Sequence, residues 1–206
     1  MPCYAIDGVV PVVDPSAYVH PTAVLIGDVI IGANCYVGPC ACLRGDFGRI
    51  VLERGSNVQD ACIIHGYPKQ DTLVEENGHI GHGAVLHSCV VRRGALVGIN
   101  AVVMDDCEIG AESVVAACSF VPVATRIAPR SLVAGVPAKV KRTLSDREVA
   151  WYAEGTRAYH ELTERCLASM RETSPLPGVE PGRPRLPVSK VDALIADRDR
   201  GIKSVV

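Results

Sequence analysis

His79-Ile80-Gly81-His82-Gly83-Ala84-Val85-Leu86-His87-Ser88-Cys89-Val90-Val91 opens a stretch, His79 to Val121, in which an aliphatic residue returns at every sixth position: Val85, Val91, Val97, Val103, Ile109, Val115 and Val121. Four places after each of the first six sits a small residue: Cys89, Ala95, Ala101, Cys107, Ser113 and Ser119. A period of six matches neither the 3.6-residue turn of a helix nor the two-residue alternation of an ordinary strand. It matches a chain that turns a corner after every short strand. If three such sides complete a coil, residues 18 apart stack at roughly the 4.8 Å spacing of paired strands. The aliphatic residue then fills a narrow prism and the small one lets the corner close. The fold class predicted is mainly β, a parallel β-helix of hexapeptide repeats.

Upstream, Val19, Leu25, Ile31, Val37 and Leu43 keep the same spacing, with Ala23, Val29, Cys35 and Ala41 in the small slot. The phase slips through Gly45-Asp46-Phe47-Gly48 and resumes with Leu52, Val58 and Ile64. A second break, His65 to Gly78, predicts a loop thrown out from a corner. The Pro- and Asp-containing segment Pro2 to Ser16 is expected to cover the open end of the prism, because the first coil of a solenoid otherwise exposes its core face. Downstream, Gly135-Val136-Pro137-Ala138-Lys139 suits a turn off the last coil. Ser145-Asp146-Arg147-Glu148 is a capping box that starts a helix over about 146–170, whose stripe Val149, Tyr152, Thr156, Tyr159, Thr163, Cys166 and Met170 faces the prism. The layout expected is a β-helix domain with its cap over 1–143, a packed C-terminal helix over 144–172, and a Pro-rich tail over 173–206. That tail is expected to be extended, with a short helix around Val191 to Asp199, and to be useful mainly if it docks on a neighbour.

Composition narrows the function. Of 206 residues 48% are hydrophobic but only 4% aromatic, which suits a regularly layered core of Val, Ile, Leu, Ala and Cys. A net charge of −2 without blocks of like charge argues against nucleic acid, and no apolar run is long enough to span a membrane. The start Met-Pro-Cys-Tyr lacks the regions of a signal peptide, so a cytoplasmic protein is expected. Nine cysteines form no Cys-x-x-Cys pair, and Cys35, Cys62, Cys89 and Cys107 fall in the small slot. They are expected to be reduced core residues.

Chemistry concentrates on histidine. Four of six, His65, His79, His82 and His87, lie within 23 positions. His20, His79 and His160 are read as ordinary hydrogen-bonded residues. His82 and His87 each follow an aliphatic marker by two, and His65 lies about one coil earlier; three imidazoles with an open fourth position form the ligand set of a catalytic zinc site. Residues 82 and 87 are separated by up to roughly 16 Å of extended chain, whereas ligands of one metal lie within about 4 Å of each other. A site shared between copies packed around a threefold axis is therefore expected.

Asn57-Val58-Gln59-Asp60, His65, the pair His82 and His87, and Arg44-Gly45-Asp46 together resemble the gamma-class carbonic anhydrases. Within that superfamily, His20 to Asp28, Leu43 to Ile50 and Gly78 to His82 resemble the PaaY and CaiE branch, and PaaY most closely. The resemblance implies a left-handed β-helix, a homotrimer, and Zn2+ (or Fe2+ or Co2+) held by His65, His82 and His87. It implies that Gln59 hydrogen-bonds the metal-bound hydroxide and that Arg44, Asp46 and Asp60 form an interfacial ion-pair network.

Two departures from the prototype steer the expected reaction. Phe47 stands where the prototype has a Glu, and the loop Gly66-Tyr67-Pro68-Lys69-Gln70 offers no proton-shuttling carboxylate, which disfavours rapid CO2 hydration. The expectation is a zinc-dependent hydrolase of aromatic acyl-coenzyme A thioesters serving phenylacetate breakdown, with carbonic anhydrase (CO2 and bicarbonate) as the alternative. A hexapeptide acyltransferase or a scaffold stands third. Phe47 and Tyr67 are expected to line the acyl group, with Arg49, Lys69, Arg92 and Arg93 as candidates for the coenzyme A phosphates.

Overall fold

The computed structural model describes residues 1–186. Within them the chain winds a left-handed parallel β-solenoid of about seven turns, closed at one side by a single helix. Three walls repeat. On the first, Tyr18, Tyr36, Asn57, His79, Leu96, Val114 and Leu132 stack in register. On the second, the column is Val24, Cys42, Ile63, Val85, Val102 and Phe120. On the third it is Val12, Ile30, Val51, Leu73, Val90, Glu108 and Arg126. Those columns face outward. Their immediate neighbours in sequence, among them Leu25, Leu43, Ile64, Leu86, Val103 and Val121, face inward and are fully buried, as strand alternation requires.

The hexapeptide register holds with one displacement. Val91, Val97, Val103, Ile109, Val115 and Val121 are all 0% exposed, and Cys89, Ala95, Ala101, Cys107, Ser113 and Ser119 are buried beside them. Val85, expected in the core, faces outward, and Leu86 fills the interior instead. Leu86 lies six after Ile80 but five before Val91, so this side of the coil is one residue short, and Val85 pairs with Val102, 17 positions on.

Corners set the spacing of the site. At one, Gly55, Asn77, Gly94, Glu112 and Arg130 adopt positive φ; at a second, Cys40, Ala61, Gly83, Asn100 and Cys118; at a third, Ser88, Asp106 and Ala124. Each turns its amide onto a carbonyl of the coil before, as Asn100 N–H does to His82 O at 2.9 Å and Asp106 N–H to Ser88 O at 2.8 Å. Asn and Gly suit this conformation, which explains their recurrence.

Two further expectations need correction, and a third is untested. The slip at Gly45–Gly48 is not an interruption: Cys42–Leu52 is one continuous strand that pairs with Val24–Ile31 on one side and with both Ile63–His65 and Thr72–Val74 on the other. The loop expected from His65 to Gly78 is shorter, since Thr72–Val74 has already rejoined the wall. The short helix expected around Val191 to Asp199 lies outside the described residues.

Helix α1 spans Asp146–Ser169 with Ser145 as N-cap and Glu148 closing the capping box. It lies over the first wall. Tyr152 packs with Leu96, Val114, Leu132 and Leu144 near the last coils, and Cys166 packs with Tyr18 and Tyr36 near the first. The helix therefore runs back along the prism and ends at its N-terminal end. There, Cys3–Tyr4 and Val12–Val13 pair alongside Val24–Ile31 and cap the first coil. All nine cysteines are free, five of them buried.

Candidate functional site

Near the corner between the second and third walls, four side chains line up. His65 and His87 sit in register on adjacent coils. His65 Nδ1 faces His87 Nε2 at 3.1 Å. The outer nitrogens are held by carboxylates: His65 Nε2 lies 2.9 Å from Asp46 Oδ1, and His87 Nδ1 bonds Asp105 Oδ1. Arg44 Nη1 donates to the other Asp46 oxygen at 2.7 Å. Partial burial pushes the Asp46 carboxyl up, but hydrogen bonds from Arg44 and His65, with the Arg44 charge, together hold it below the usual value.

Proton accounting makes this row informative. A carboxylate only accepts, so each imidazole places its N–H toward its own Asp. The two inner nitrogens then present lone pairs to each other at 3.1 Å. That contact is favourable only with a cation between them, either one added proton or one metal ion.

Aromatic rings flank the row. Phe47 tilts against His65 with centroids 5.6 Å apart, and Tyr67 meets His87 edge-on at 5.1 Å. Both are largely exposed, at 62% and 56%, so they border an open face. Asp105 escaped the reading of the sequence, although it lies 18 residues after His87, one coil on, which is a signal that the period itself supplies.

His82 stands elsewhere, on the corner between the first and second walls, with Nδ1 2.8 Å from Asp60 Oδ2. Both are about half exposed. Within one chain His82 is not brought to His65 and His87, and among the described residues no group of three His, Cys, Asp or Glu forms a metal-binding cluster.

The remaining candidates divide. Gln59 is buried, with Nε2 donating to Asn57 Oδ1 at 3.1 Å and lying 2.7 Å from His79 Nε2. Its contacts thus run under α1, where Thr156 and Tyr159 meet His79; in the chain by itself Gln59 bonds neither His65 nor His87. His79, read as an ordinary surface residue, is instead packed into this cluster. Burial, and then the nearby His82, push it down to about 4. Arg49 pairs with Asp28 at 2.9 Å, and Arg92 with both Glu75 and Glu108 at 2.7 and 2.9 Å, so neither presents a free cation for phosphate. Arg93 is exposed and lies at the groove beside α1, away from the histidine row.

Residues 11–45 and 88–122 match the family model described as bacterial transferase hexapeptide (six repeats). The carnitine operon protein CaiE of Proteus sp. (strain LE138) is 55% identical over 186 residues, covering 90% of this chain and 94% of the relative. CaiE of Escherichia coli (strain K12) is 54% identical, covering 90% and 95%. Among solved structures, a hexapeptide transferase family protein from Anaplasma phagocytophilum is 32% identical with TM-score 0.77, covering 80% of this chain and 97% of that one. A Bacillus cereus protein described provisionally as an acetyltransferase is 28% identical with TM-score 0.79, covering 81% and 96%.

These likenesses overturn the expected reaction. The relatives described above are carnitine operon proteins and hexapeptide transferases. The zinc-dependent thioesterase of phenylacetate breakdown, with its carbonic anhydrase alternative, is withdrawn. The gamma-class resemblance holds only at the level of the hexapeptide-repeat superfamily, and within it the match is to CaiE rather than PaaY.

Proposed function

The chain belongs to the hexapeptide-repeat family of the CaiE proteins, and on that footing we propose that it transfers an acyl group from an acyl-coenzyme A thioester to a small acceptor, in the setting of carnitine metabolism. The observation that carries this reading is the row Asp46, His65, His87, Asp105 on an open face flanked by Phe47 and Tyr67. Where no cation bridges the two rings, Asp105 holds His87 in one tautomer and leaves Nε2 to take the proton of an acceptor hydroxyl or amine. The acceptor atom bonds to the acyl carbon, the carbon–sulfur bond breaks, and the thiolate of coenzyme A leaves and takes up the proton. Exposed Phe47 and Tyr67 offer apolar cover for the acyl chain.

The same side chains suit a divalent cation shared between copies. Each of His65, His82 and His87 has one ring nitrogen held by a carboxylate and the other free of it, the support that orients metal-bound imidazole. His65 and His87 of one copy with His82 of a neighbour would hold Zn2+, Fe2+ or Co2+. Bound there, such an ion supplies Lewis acidity to a thioester carbonyl.

Two outward columns support a ring of three copies. Helix α1 covers the first wall, but Cys42, Ile63, Val85, Val102 and Phe120 on the second and Ile30, Val51, Leu73 and Val90 on the third carry apolar side chains with no cover of their own, Ile63 at 51% exposure. Two different faces of one chain make a head-to-tail contact, which closes into a ring. His82 and His87 lie at opposite edges of the second wall, so only a neighbour brings the two kinds of corner together.

The test incubates purified protein with acetyl-coenzyme A and longer acyl-coenzyme A esters against hydroxyl and amine acceptors, carnitine among them. Thiol release that needs the acceptor, with a product heavier by the acyl group, is expected. Thiol release indifferent to the acceptor, or none with any pair, refutes transfer. Elemental analysis of the same sample should find one divalent ion per chain.

A further inference from the structure

The N-terminal end of the solenoid carries two unpartnered surfaces. The first is its cap. Tyr4, Ile6, Val9, Val10 and Val12 are 56%, 40%, 44%, 60% and 58% exposed. Among the described residues the cap strands Cys3–Tyr4 and Val12–Val13 pair only with Val24–Ile31, which leaves their other edges open. Open edges with apolar side chains are templates for another segment of chain.

The second is the segment that leaves α1. The helix ends at Met170, whose backbone is extended and whose sulfur accepts from the Tyr18 hydroxyl at 2.6 Å. That contact starts the segment at the cap end. From Arg171 to Leu186 every residue is exposed, with Leu176 at 56%, Val179 at 85% and Leu186 at 74%. A Cβ built on Gly178 or Gly182 meets nothing within 4 Å, nor does one on Gly8 in the cap. Arg171 and Glu172 still border the groove over Tyr18 and His20; beyond them the segment stands clear of the body, and among the described residues nothing covers the cap.

We infer that residues 171–186 form an arm that docks on the N-terminal cap of a second copy of this chain. Pro175, Pro177, Pro181 and Pro184 hold the arm extended, which lowers the entropy lost on docking. They also remove four amide donors, so the arm is suited to accept from the open cap edges through its carbonyls while Leu176 and Val179 cover the exposed valines. Charge agrees in sign: the arm carries Arg171, Arg183 and Arg185 against Glu172 and Glu180, with Arg183 paired to Glu180, while the cap carries Asp7 and Asp14 and no basic side chain.

The experiment uses the full chain with exposed Cys3, Cys40 and Cys118 replaced by Ser. Val10→Cys is made in one preparation and Val179→Cys in a second carrying a mass tag; the two are mixed and mildly oxidised. A disulfide joining tagged to untagged chain is expected. In parallel, sedimentation should show that Val179→Asp and Val10→Asp each weaken association roughly tenfold, and that the double variant is no weaker than either single one. Both substituted side chains are exposed, so folding is not at stake. No disulfide between tagged and untagged chain, or unchanged association in both Asp variants, would overturn the inference.

Discussion

His65 Nδ1 lies 3.1 Å from His87 Nε2, and each ring is backed by its own carboxylate, Asp46 and Asp105. The pair is thus set to share one cation, and the carboxylates decide which nitrogens face each other. Exchanging a carboxylate for an amide changes that orientation without removing a ligand. Asp105→Asn should leave the fold and the melting temperature near those of the parent but lower turnover by about 10- to 100-fold. A rate equal to the parent would mean that Asp105 does not orient His87.

Placement of His82 and His87 at different corners leads to a complementation test. His82→Ala and His87→Ala should each be inactive and depleted of metal. When the two inactive proteins are dissociated, mixed and reassembled, some interfaces pair an intact His65–His87 corner with an intact His82, and activity should return to a fraction of the parent value. Mixtures as inactive as their parts would place the whole site within one chain.

Core register is tested at Val103, which is 0% exposed between Leu86 and Val121. Val103→Asp sets a carboxylate where no partner exists and should cost about 3–5 kcal/mol. Chemical denaturation reads this directly. A variant as stable as the parent would put Val103 outside the core.

Acid should act through His79. Its folded value, about 4, lies below the ordinary 6.5 because it is buried under α1. The unfolded chain therefore binds a proton that the folded chain refuses. Stability from this residue is fully present above about 6.5 and is lost as pH falls toward 4, by at most about 1.4 kcal/mol per pH unit. His79→Gln should flatten that part of the stability profile measured by denaturation between pH 7 and 4. A parent and variant with parallel profiles would show that His79 does not carry the effect.

Period six was enough for the solenoid. Aliphatic and small residues alternate with such regularity that inward positions, corners and the 18-residue stacking follow from spacing alone, and Ser145 to Glu148 announced α1 in the same way. These are local rules, set by side-chain volume and backbone conformation within a few residues. Asp105 was within reach of the same rule, since stacking places it over His87. Where the period broke, spacing was silent: only the pairing of Cys42–Leu52 with two successive strands showed that the break is continuous wall, and only the pairing of Val85 with Val102, 17 positions on rather than 18, showed that Leu86 points inward. Partners across the fold were also beyond spacing. Gln59 meets His79 because α1, about 100 residues later in the chain, seals them into one polar cluster, and Arg49 and Arg92 are neutralised by carboxylates 16 to 21 positions away. Burial and charge pairing are properties of the assembled walls. The residue types at the site were legible in the sequence, while which of them touch, and which corner each one occupies, was decided by the tertiary structure.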